Sequence, residues 1–320
     1  MQTPTSRAET RYVGHLRLSS MARCVLAVAV SLALLLGAAG TARASQIIAR
    51  DATDVRLEVN AKGMALVTFR QRGSVERVLA WGATNGDVKF KLDYSGGWGA
   101  FGKPVWKTFA DASRPYDGPS LHWLVAARKG PDGSYWALQA WQRMLPMYGY
   151  APWKPLQSAW ELHLSHWTGK EVPRLEIWLD WIYRGRFHHL FGHYTYRGKP
   201  VYGYSNTPGG NPLDPYGRNV YVDTYDSAYG PGWEREMGFL THKPSGTFCY
   251  GFYPHTSAYD GRRTPASHGT RYRATVIGPG VAPDAYWEGA DPGAYDPVFD
   301  AQMNQLEEQV VGSDPRCQKD

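Results

Sequence analysis

Apolar and polar residues alternate along much of the chain, which is the pattern of strands with one buried face. VRLEV (55–59) and ALVTF (65–69) flank the turn sequence NAKG, and VERVLAW (75–81) and VKFKLDY (88–94) continue the alternation. The period of two predicts antiparallel strands joined by short turns.

A second hairpin and two late strands are predicted further along. LHWLVAAR (121–128) and SYWALQAWQRML (134–145) flank a turn built on Pro131-Asp132-Gly133, residues that favour tight turns. FCYGFY (248–253) and RYRATVI (271–277) have the composition of strands.

The sequence predicts one helix, near the C-terminal end. Asp296 is suited to cap its first turn, Pro297 to occupy its first position, and Gly312 to end it. The predicted docking stripe consists of Phe299, Met303, Leu306 and Val310. We expect this apolar stripe to pack on a sheet.

Many short strands with one appended helix predict a mainly β fold, an antiparallel β-sandwich of jelly-roll type with a C-terminal α-helix. The chain also carries long loops rich in aromatic residues, glycine and proline, above all residues 200–234. Such a loop has a function or is packed by its own side chains.

Residues 1–44 have the features of a leader that is removed. Arg23 precedes an apolar run at 25–36, and Ala42-Arg43-Ala44 follows, which is the order of a secretory signal. The run is shorter than the roughly 20 apolar residues of a spanning helix. We therefore expect a secreted, extracellular protein, not membrane-spanning after cleavage, with residues 45–320 forming a single β-rich domain.

Removal of the leader changes the charge of the protein. The whole chain has 35 basic and 29 acidic residues, of which the leader holds five arginines and one glutamate, so a net charge of +2 is left. Without a basic run, the mature part lacks the electrostatic footprint of a nucleic-acid-binding protein. Its two cysteines, Cys249 and Cys317, favour one disulfide in an oxidising compartment, with a reactive thiol as the alternative.

Candidate chemistry is concentrated in residues 158–183. SAWELHLSHW and RLEIWLDWIY flank the turn sequence TGKEVP, and pairing them as a hairpin places Glu161 opposite Asp180, His163 opposite Trp178, and Ser165 opposite Glu176. One face of this hairpin is apolar, and the other carries carboxylates, a histidine and tryptophan.

The polar face has three interpretations. Opposed carboxylates Glu161, Glu176 and Asp180 suit a retaining glycoside hydrolase, in which one acts as nucleophile and another as acid/base. Without catalysis, the face is a platform for a glycan or cell-wall ligand, because tryptophan rings stack on sugars. The third interpretation is an ordinary solvated face of a structural or surface-interaction protein. The candidate ligand-binding residues are His163, Trp167, Trp178, Trp141, Tyr148 and Trp153.

The stretch FHHLFGHYTYRG (187–198) contains three of the ten histidines. His189 and His193 have the i, i+4 spacing of zinc ligands on a helix, but the surrounding aromatic residues favour a strand, where this spacing spans about 13 Å. We therefore predict no metal site here. His188, Tyr194 and Tyr196 should share one face of the strand, with Phe187, His189, Phe191 and His193 on the other.

No cofactor is predicted. Asp214, Asn219, Asp223 and Asp226 offer oxygen ligands for calcium, but they lack EF-hand spacing and are ordinary turn residues. The chain contains no G-x-S-x-G motif for a serine nucleophile.

Four segments together resemble a family of uncharacterised secreted proteins from high-GC Gram-positive bacteria. The segments are DYSGGWG (93–99), PDGSYWALQAWQRMLP (131–146), GRNVYVDT (217–224) and FCYGFYPH (248–255). No activity is known for that family, so the resemblance assigns none. The aromatic and carboxylate sheet face makes non-catalytic binding of a glycan or cell-wall ligand the leading functional expectation, and the sequence leaves the oligomeric state open.

Overall fold

The fold is taken from a computed structural model. All described residues belong to one compact unit, 42–320. They comprise 45–82, 98–100, 107–143, 159–185, 187–200, 205–206, 212–213, 220–227, 230–236, 238–240, 249–254 and 269–313.

The described residues form nineteen strands and one helix. In chain order these are β1 (Gln46–Arg50), β2 (Thr53–Val59), β3 (Ala65–Gln71), β4 (Ser74–Ala80), β5 (Trp98–Ala100), β6 (Leu124–Lys129), β7 (Tyr135–Arg143), β8 (Ala159–Trp167), β9 (Arg174–Tyr183), β10 (Phe187–Tyr196), β11 (Lys199–Pro200), β12 (Ser205–Asn206), β13 (Pro212–Leu213), β14 (Val220–Ser227), β15 (Gly230–Glu236), β16 (Gly238–Leu240), β17 (Cys249–Pro254), β18 (Arg271–Val276), β19 (Ala285–Ala290) and α1 (Pro297–Ser313).

The strands form four larger sheets and one two-stranded ribbon, β12–β13. Sheet I has the order β2-β3-β4-β5, sheet II β1-β8-β7-β6, and sheet III β15-β14-β18-β19. Sheet IV has the order β11-β10-β17-β16, and β9 also pairs with β10. All strand pairs among the described residues are antiparallel. The expected mainly β, antiparallel fold with one C-terminal helix is thus confirmed, while the jelly-roll arrangement stays a prediction.

Sheets I and II bury one apolar core between them. Leu57, Val67 and Val78 of sheet I belong to the same buried cluster as Trp136 and Leu164 of sheet II. Alternation explains the packing, because every second residue of β2, β3, β7 and β8 points into this layer. Burial of such side chains contributes about 1.5–3 kcal/mol each.

Sheets III and IV bury a second core. It contains Val222 and Ala274 of sheet III and Leu175, Leu190 and Tyr194 of sheet IV. The other face of sheet III meets sheet II, where the rings of Tyr221 and Trp141 have centroids 5.3 Å apart. The sheets therefore lie in the order I, II, III, IV.

The helix covers the outer face of sheet IV. Asp296 Oδ1 accepts hydrogen bonds from the backbone N–H groups of Val298 (2.8 Å) and Phe299 (3.2 Å), so the predicted N-cap is confirmed. Such a cap contributes about 1 kcal/mol. Met303 and Val310 pack on Trp181 and Phe191, as expected for a docked helix.

Half of the predicted docking stripe is wrong. Phe299 and Leu306 are 42% and 40% exposed. In their place the helix turns Asp300 inward, where its carboxylate accepts hydrogen bonds from Trp181 Nε1 (2.8 Å) and Arg184 N (2.9 Å). Partners on the sheet make a carboxylate acceptable in the interface, so hydrophobicity alone does not locate the buried face.

Most of the strand predictions are confirmed, but the pairing within 158–183 is wrong. VKFKLDY (88–94) lies outside the described residues. Both predicted strands at 158–183 exist as β8 and β9, yet β8 pairs with β1 and β7, and β9 pairs with β10. TGKEVP is therefore a crossing between sheets II and IV and does not form a hairpin turn. In the part of the chain that the structure describes, no helix is long and apolar enough to cross a membrane.

Candidate functional site

The polar face of β8 lies inside the protein. Glu161, His163 and Ser165 are 1%, 0% and 0% exposed. They face the segment between β18 and β19: His166 N donates to Val281 O (2.7 Å), and Ser165 Oγ donates to Ala282 O (3.3 Å). The face predicted to meet solvent or ligand is therefore covered by sheet III and its connecting segment.

His163 sits between two carboxylates. Its Nδ1 lies 3.0 Å from Asp284 Oδ2, and its Nε2 lies 3.5 Å from Glu161 Oε2. Burial by itself lowers the pKa of His163, but the charges and hydrogen bonds of Asp284 and Glu161 outweigh it and raise the pKa to about 9. The imidazole is thus positively charged at neutral pH, and Arg50 Nε, 3.0 Å from Glu161 Oε1, adds a second cation.

The Asp284 carboxylate has three hydrogen-bond donors besides His163. Its carboxylate accepts hydrogen bonds from Trp141 Nε1 (2.8 Å), Gly278 N (2.8 Å) and Ser45 Oγ. Burial by itself raises the pKa of Asp284, while His163 and these donors hold it below its usual range. Because both oxygens of the carboxylate have donors, this buried charge is compatible with a stable fold.

Ser45, His163 and Asp284 have the residue types of a nucleophilic triad but not its geometry. Ser45 Oγ lies 3.1 Å from His163 Nδ1, the same ring nitrogen that faces Asp284, and it also donates directly to that carboxylate. A triad needs the nucleophile and the acid on opposite ring nitrogens, and here Glu161 faces the second nitrogen. The arrangement joins β1, β8 and the β18–β19 segment electrostatically and does not prepare Ser45 for attack.

The three predicted catalytic carboxylates do not converge. Glu161 belongs to sheet II, whereas Glu176 and Asp180 belong to β9 of sheet IV. A β-bulge at Trp178, where the β9–β10 register shifts between Phe191 and Gly192, changes the alternation. Asp180 therefore pairs with His188, and Glu176 lies 3.4 Å from His193.

Gly192 makes this bulge possible. A Cβ at this position would overlap the backbone carbonyl oxygen of Glu176 on the neighbouring strand. Only glycine allows the two backbones to approach so closely. Gly192 thus lets β10 fit closely against its bulged partner, β9.

The histidine-rich stretch is a strand, and its predicted faces are confirmed for residues 188–196, while the side chain of Phe187 is not among those described. His188 packs edge-on against Tyr272 of sheet III, while His189 and His193 lie against Trp181 and Trp178 on the helix side. Each histidine faces a carboxylate of its own, since His189 Nε2 lies 3.0 Å from Glu307 of the helix. Among the described residues, no three His, Cys, Asp or Glu side chains are grouped as metal ligands.

The predicted ligand-binding residues are largely interior. Trp141 and Trp167 are 2% and 0% exposed, so neither offers a ring face to a sugar. Trp178 is half-buried against Phe191 and His193. Tyr148 and Trp153 lie outside the described residues.

The predicted disulfide and calcium ligands are also partly outside the described residues. Cys249 begins β17, but Cys317 is not among the described residues, so the disulfide stays a prediction. Asp214 and Asn219 are likewise outside. Asp226 Oδ1 accepts a hydrogen bond from Gly232 N (2.7 Å), as an ordinary turn residue does.

A second group of side chains, on the face of sheet III towards sheet II, reaches the surface. We call it the aromatic–arginine cluster, and it comprises Trp123, Tyr225, Trp233, Arg271, Arg273 and Tyr286. Its residues come from the segment before β6 and from β14, β15, β18 and β19. The four rings are half-buried.

Rings and guanidinium groups alternate in this cluster. The Arg271 guanidinium lies 4.4 Å from the Tyr225 ring centroid and 5.3 Å from that of Trp233. Arg273 lies 4.3 Å from the Trp233 centroid and 5.1 Å from that of Trp123. Because the Arg271 side chain is 48% exposed, its stacked guanidinium group presents N–H donors to solvent, whereas the Arg273 side chain is only 9% exposed.

Carboxylates hold the two arginines in place. Arg273 Nε donates to Asp223 Oδ2 (2.8 Å) in a buried pair, and Arg271 Nη1 lies 3.2 Å from Glu288 Oε1. Burial and the hydrogen bond to Glu288 raise the pKa of Tyr286, which therefore stays a neutral hydroxyl at neutral pH. Burial, with a contribution from the charge of Asp223, raises the pKa of Glu234.

The Asp223–Arg273 pair also bears on the calcium prediction. The carboxylate is 2% exposed and is engaged by the guanidinium group. Asp223 therefore holds Arg273 in the aromatic–arginine cluster, and its role as a calcium ligand stays a prediction.

Sequence reasoning missed this cluster although one signal was present. Within RYRATVI the two arginines alternate with Tyr272, so Arg271 and Arg273 must share a face of the strand. The aromatic partners come from four other segments, and the strand order of sheet III together with its packing on sheet II brings them to one place. No family model, curated protein or solved structure matches this chain.

Proposed function

We propose that the protein is a secreted, non-catalytic binding protein whose aromatic–arginine cluster recognises an anionic glycan of the cell wall. One observation carries the proposal: the exposed guanidinium group of Arg271 lies against the half-buried rings of Tyr225 and Trp233, and Trp233 also packs on the buried guanidinium group of Arg273. Aromatic rings stack on the apolar faces of sugars, and arginine edges bind carboxylate or phosphate groups in a bidentate manner. A polymer that carries both features matches the cluster better than a neutral glycan.

The location of the carboxylates supports binding over hydrolysis. Glu161 is enclosed between sheets II and III, while Glu176 and Asp180 are engaged by histidines of sheet IV. In the cluster, Asp223 and Glu288 are paired with arginines. Retaining hydrolysis needs two carboxylates about 5–5.5 Å apart across an open cleft. Here the carboxylates instead hold histidine and arginine side chains in place.

The test is binding to immobilised polymers that differ in charge. We expect retention on a polyuronate and on a phosphate-bearing wall polymer, weak retention on a neutral polysaccharide, and loss of retention as salt is raised, because exposed charges are screened. Trp233→Ala should weaken binding roughly 10- to 100-fold, the range of an aromatic anchor. Thermal melting should accompany each variant, because Trp233 also packs on Arg273.

The matched control is Trp160→Ala. Trp160 is 50% exposed and lies on β8, outside the cluster. Its replacement should leave retention unchanged. Failure of the unmodified protein to bind any polymer, or equal loss in both variants, would count against the proposal and favour a structural or surface-interaction protein.

A further inference from the structure

Ser45 is buried at the entrance to β1. It is 4% exposed, and its Oγ donates to Asp284 Oδ1 and lies 3.1 Å from His163 Nδ1. Its backbone N donates to Gly278 O (3.3 Å), and Gly278 N in turn donates to Asp284 Oδ1 (2.8 Å). A small polar residue at the start of a strand is thus fixed from both its side chain and its backbone.

The sequence places a cleavage site at the same residue. Ala42-Arg43-Ala44 follows an apolar run in the order of a secretory signal. Hydrolysis of the Ala44–Ser45 peptide bond by an endopeptidase consumes one water and leaves a carboxylate on Ala44 and an α-ammonium group on Ser45. Because Ser45 is enclosed in the folded protein, this cleavage has to precede folding, as it does for a chain cleaved during export.

We propose that cleavage before Ser45 is a maturation step that completes the buried network, because the new α-ammonium group is held between Gly278 O and the Asp284 carboxylate. A peptide nitrogen offers one hydrogen, whereas an ammonium group offers three donors and a full charge. A buried ammonium group is stable only beside an anion. The Asp284 carboxylate is already bound to the side chain of the same residue.

The charge balance gives the proposal a second consequence. Glu161 and Asp284 carry two negative charges, and Arg50 and His163 carry two positive charges. Gln139 and Trp141 of β7 face Asp284 as neutral partners. A further positive charge at Ser45 competes with the proton on His163, so the imidazole should lose its proton at a lower pH in the cleaved protein than in a blocked one.

The first experiment identifies the mature terminus. The full chain is expressed for export in a bacterial secretion host, and the protein in the medium is analysed by intact mass and N-terminal sequencing. The expected first residue is Ser45. Any other first residue overturns the proposal.

The second experiment compares termini. Residues 45–320, which lie within the compact unit 42–320, are prepared with a free Ser45 amine and with one added glycine before it. At pH 7 the free-amine protein should melt about 2–4 °C higher. An α-amino group has a pKa near 7.7–8.0 when exposed, and pairing with Asp284 raises it. The difference is therefore complete below about pH 7.7 and disappears as pH rises through the raised value.

Two controls test whether the difference in melting temperature comes from the Ser45 amine or from any added residue at the N-terminus. Ser45→Ala removes the hydroxyl but keeps the amine, so the difference between free and extended forms should persist. In Asp284→Asn it should vanish; if that variant does not fold, the NMR titration of His163 decides instead. Equal melting temperatures at pH 7, a difference that is constant up to pH 10, or an unchanged His163 titration would overturn the proposal. Glycan retention should be equal in both forms, so this test is independent of the proposed function.

Discussion

Sheets II and III meet in two ways along one interface. In the closed part, His163 and Asp284 have side chains that are 0% exposed, and every charge has a partner inside the protein. In the open part, the aromatic–arginine cluster, the Arg271 side chain is 48% exposed. Both parts combine aromatic rings, cations and carboxylates, so residue type alone does not separate them.

The difference between the two parts is access to water. In the closed part, removal of charges from water is costly and is offset only by complete pairing. In the open part, the exposed Arg271–Glu288 pair is screened and contributes little to stability. The closed part therefore stabilises the fold, while the open part is the proposed ligand site.

The largest expected effect is on the closed part. Asp284→Ala should destabilise the protein by about 3–5 kcal/mol. The change removes the carboxylate that faces His163 Nδ1 and the acceptor for Trp141 Nε1, and both groups stay buried. Urea unfolding measures the change. The matched variant in the open part, Glu288→Ala, should change stability by less than about 1 kcal/mol; equal losses would erase the distinction between the two parts.

The closed part should also make stability depend on pH. The folded protein holds the His163 proton up to a pKa of about 9, whereas the unfolded chain releases it near the ordinary histidine pKa of 6.5. Above pH 6.5 the folded state binds more protons, so stability falls as pH rises towards 9, by roughly 3 kcal/mol in all.

The measurement is the free energy of unfolding at pH 6, 7.5 and 9 with the same N-terminus throughout. His163→Gln is the control, since it cannot titrate and should flatten the slope over this window. A slope that is unchanged in His163→Gln would assign the pH dependence to another group.

Within the open part, Arg273 and Arg271 should differ. Arg273→Ala leaves the buried carboxylate of Asp223 without its guanidinium partner and should cost about 2 kcal/mol. Chemical denaturation tests this value. If Arg273→Ala lowers the free energy of unfolding no more than Arg271→Ala does, the buried Arg273–Asp223 pair does not stabilise the aromatic–arginine cluster.

The smallest effect on stability is expected for Arg271→Ala, at most about 0.5 kcal/mol, because its pair with Glu288 is exposed. Retention on a polyuronate should nevertheless fall roughly 10-fold, the effect of one lost charge-assisted contact. Binding and unfolding measured on the same preparation separate the two effects. A variant that loses stability but not binding would reverse the assignment of the two parts.

Local sequence patterns were sufficient to predict the strands and the helix, but not which strands pair with each other. The alternation in SAWELHLSHW predicted β8, and the cap at Asp296 predicted where α1 begins. The pairing of Glu161 with Asp180 failed, because adjacent strands in sequence joined different sheets. Six residues between two strands are compatible with a hairpin or a crossing, and nothing local distinguishes them.

The sequence also could not tell a covered polar face from a solvated one. The alternation of Glu161, His163 and Ser165 with apolar residues is the same as that of a strand whose polar face meets solvent. The partners of His163, Asp284 and Ser45, are over 100 residues away along the chain. The faces of β10 were predictable, because alternation fixes which residues share a side. What covers each side was decided by sheet III and by the helix.

The sequence by itself determined the strands, the turns, the helix cap and the alternation of faces, since these depend on interactions within a few residues. The tertiary structure decided which polar row was enclosed, which rings and arginines came together, and where a bulge moved Asp180 to another face. The physical reason is that the cost of a buried charge depends on its partners and on access to water, and both are set by elements distant in the chain.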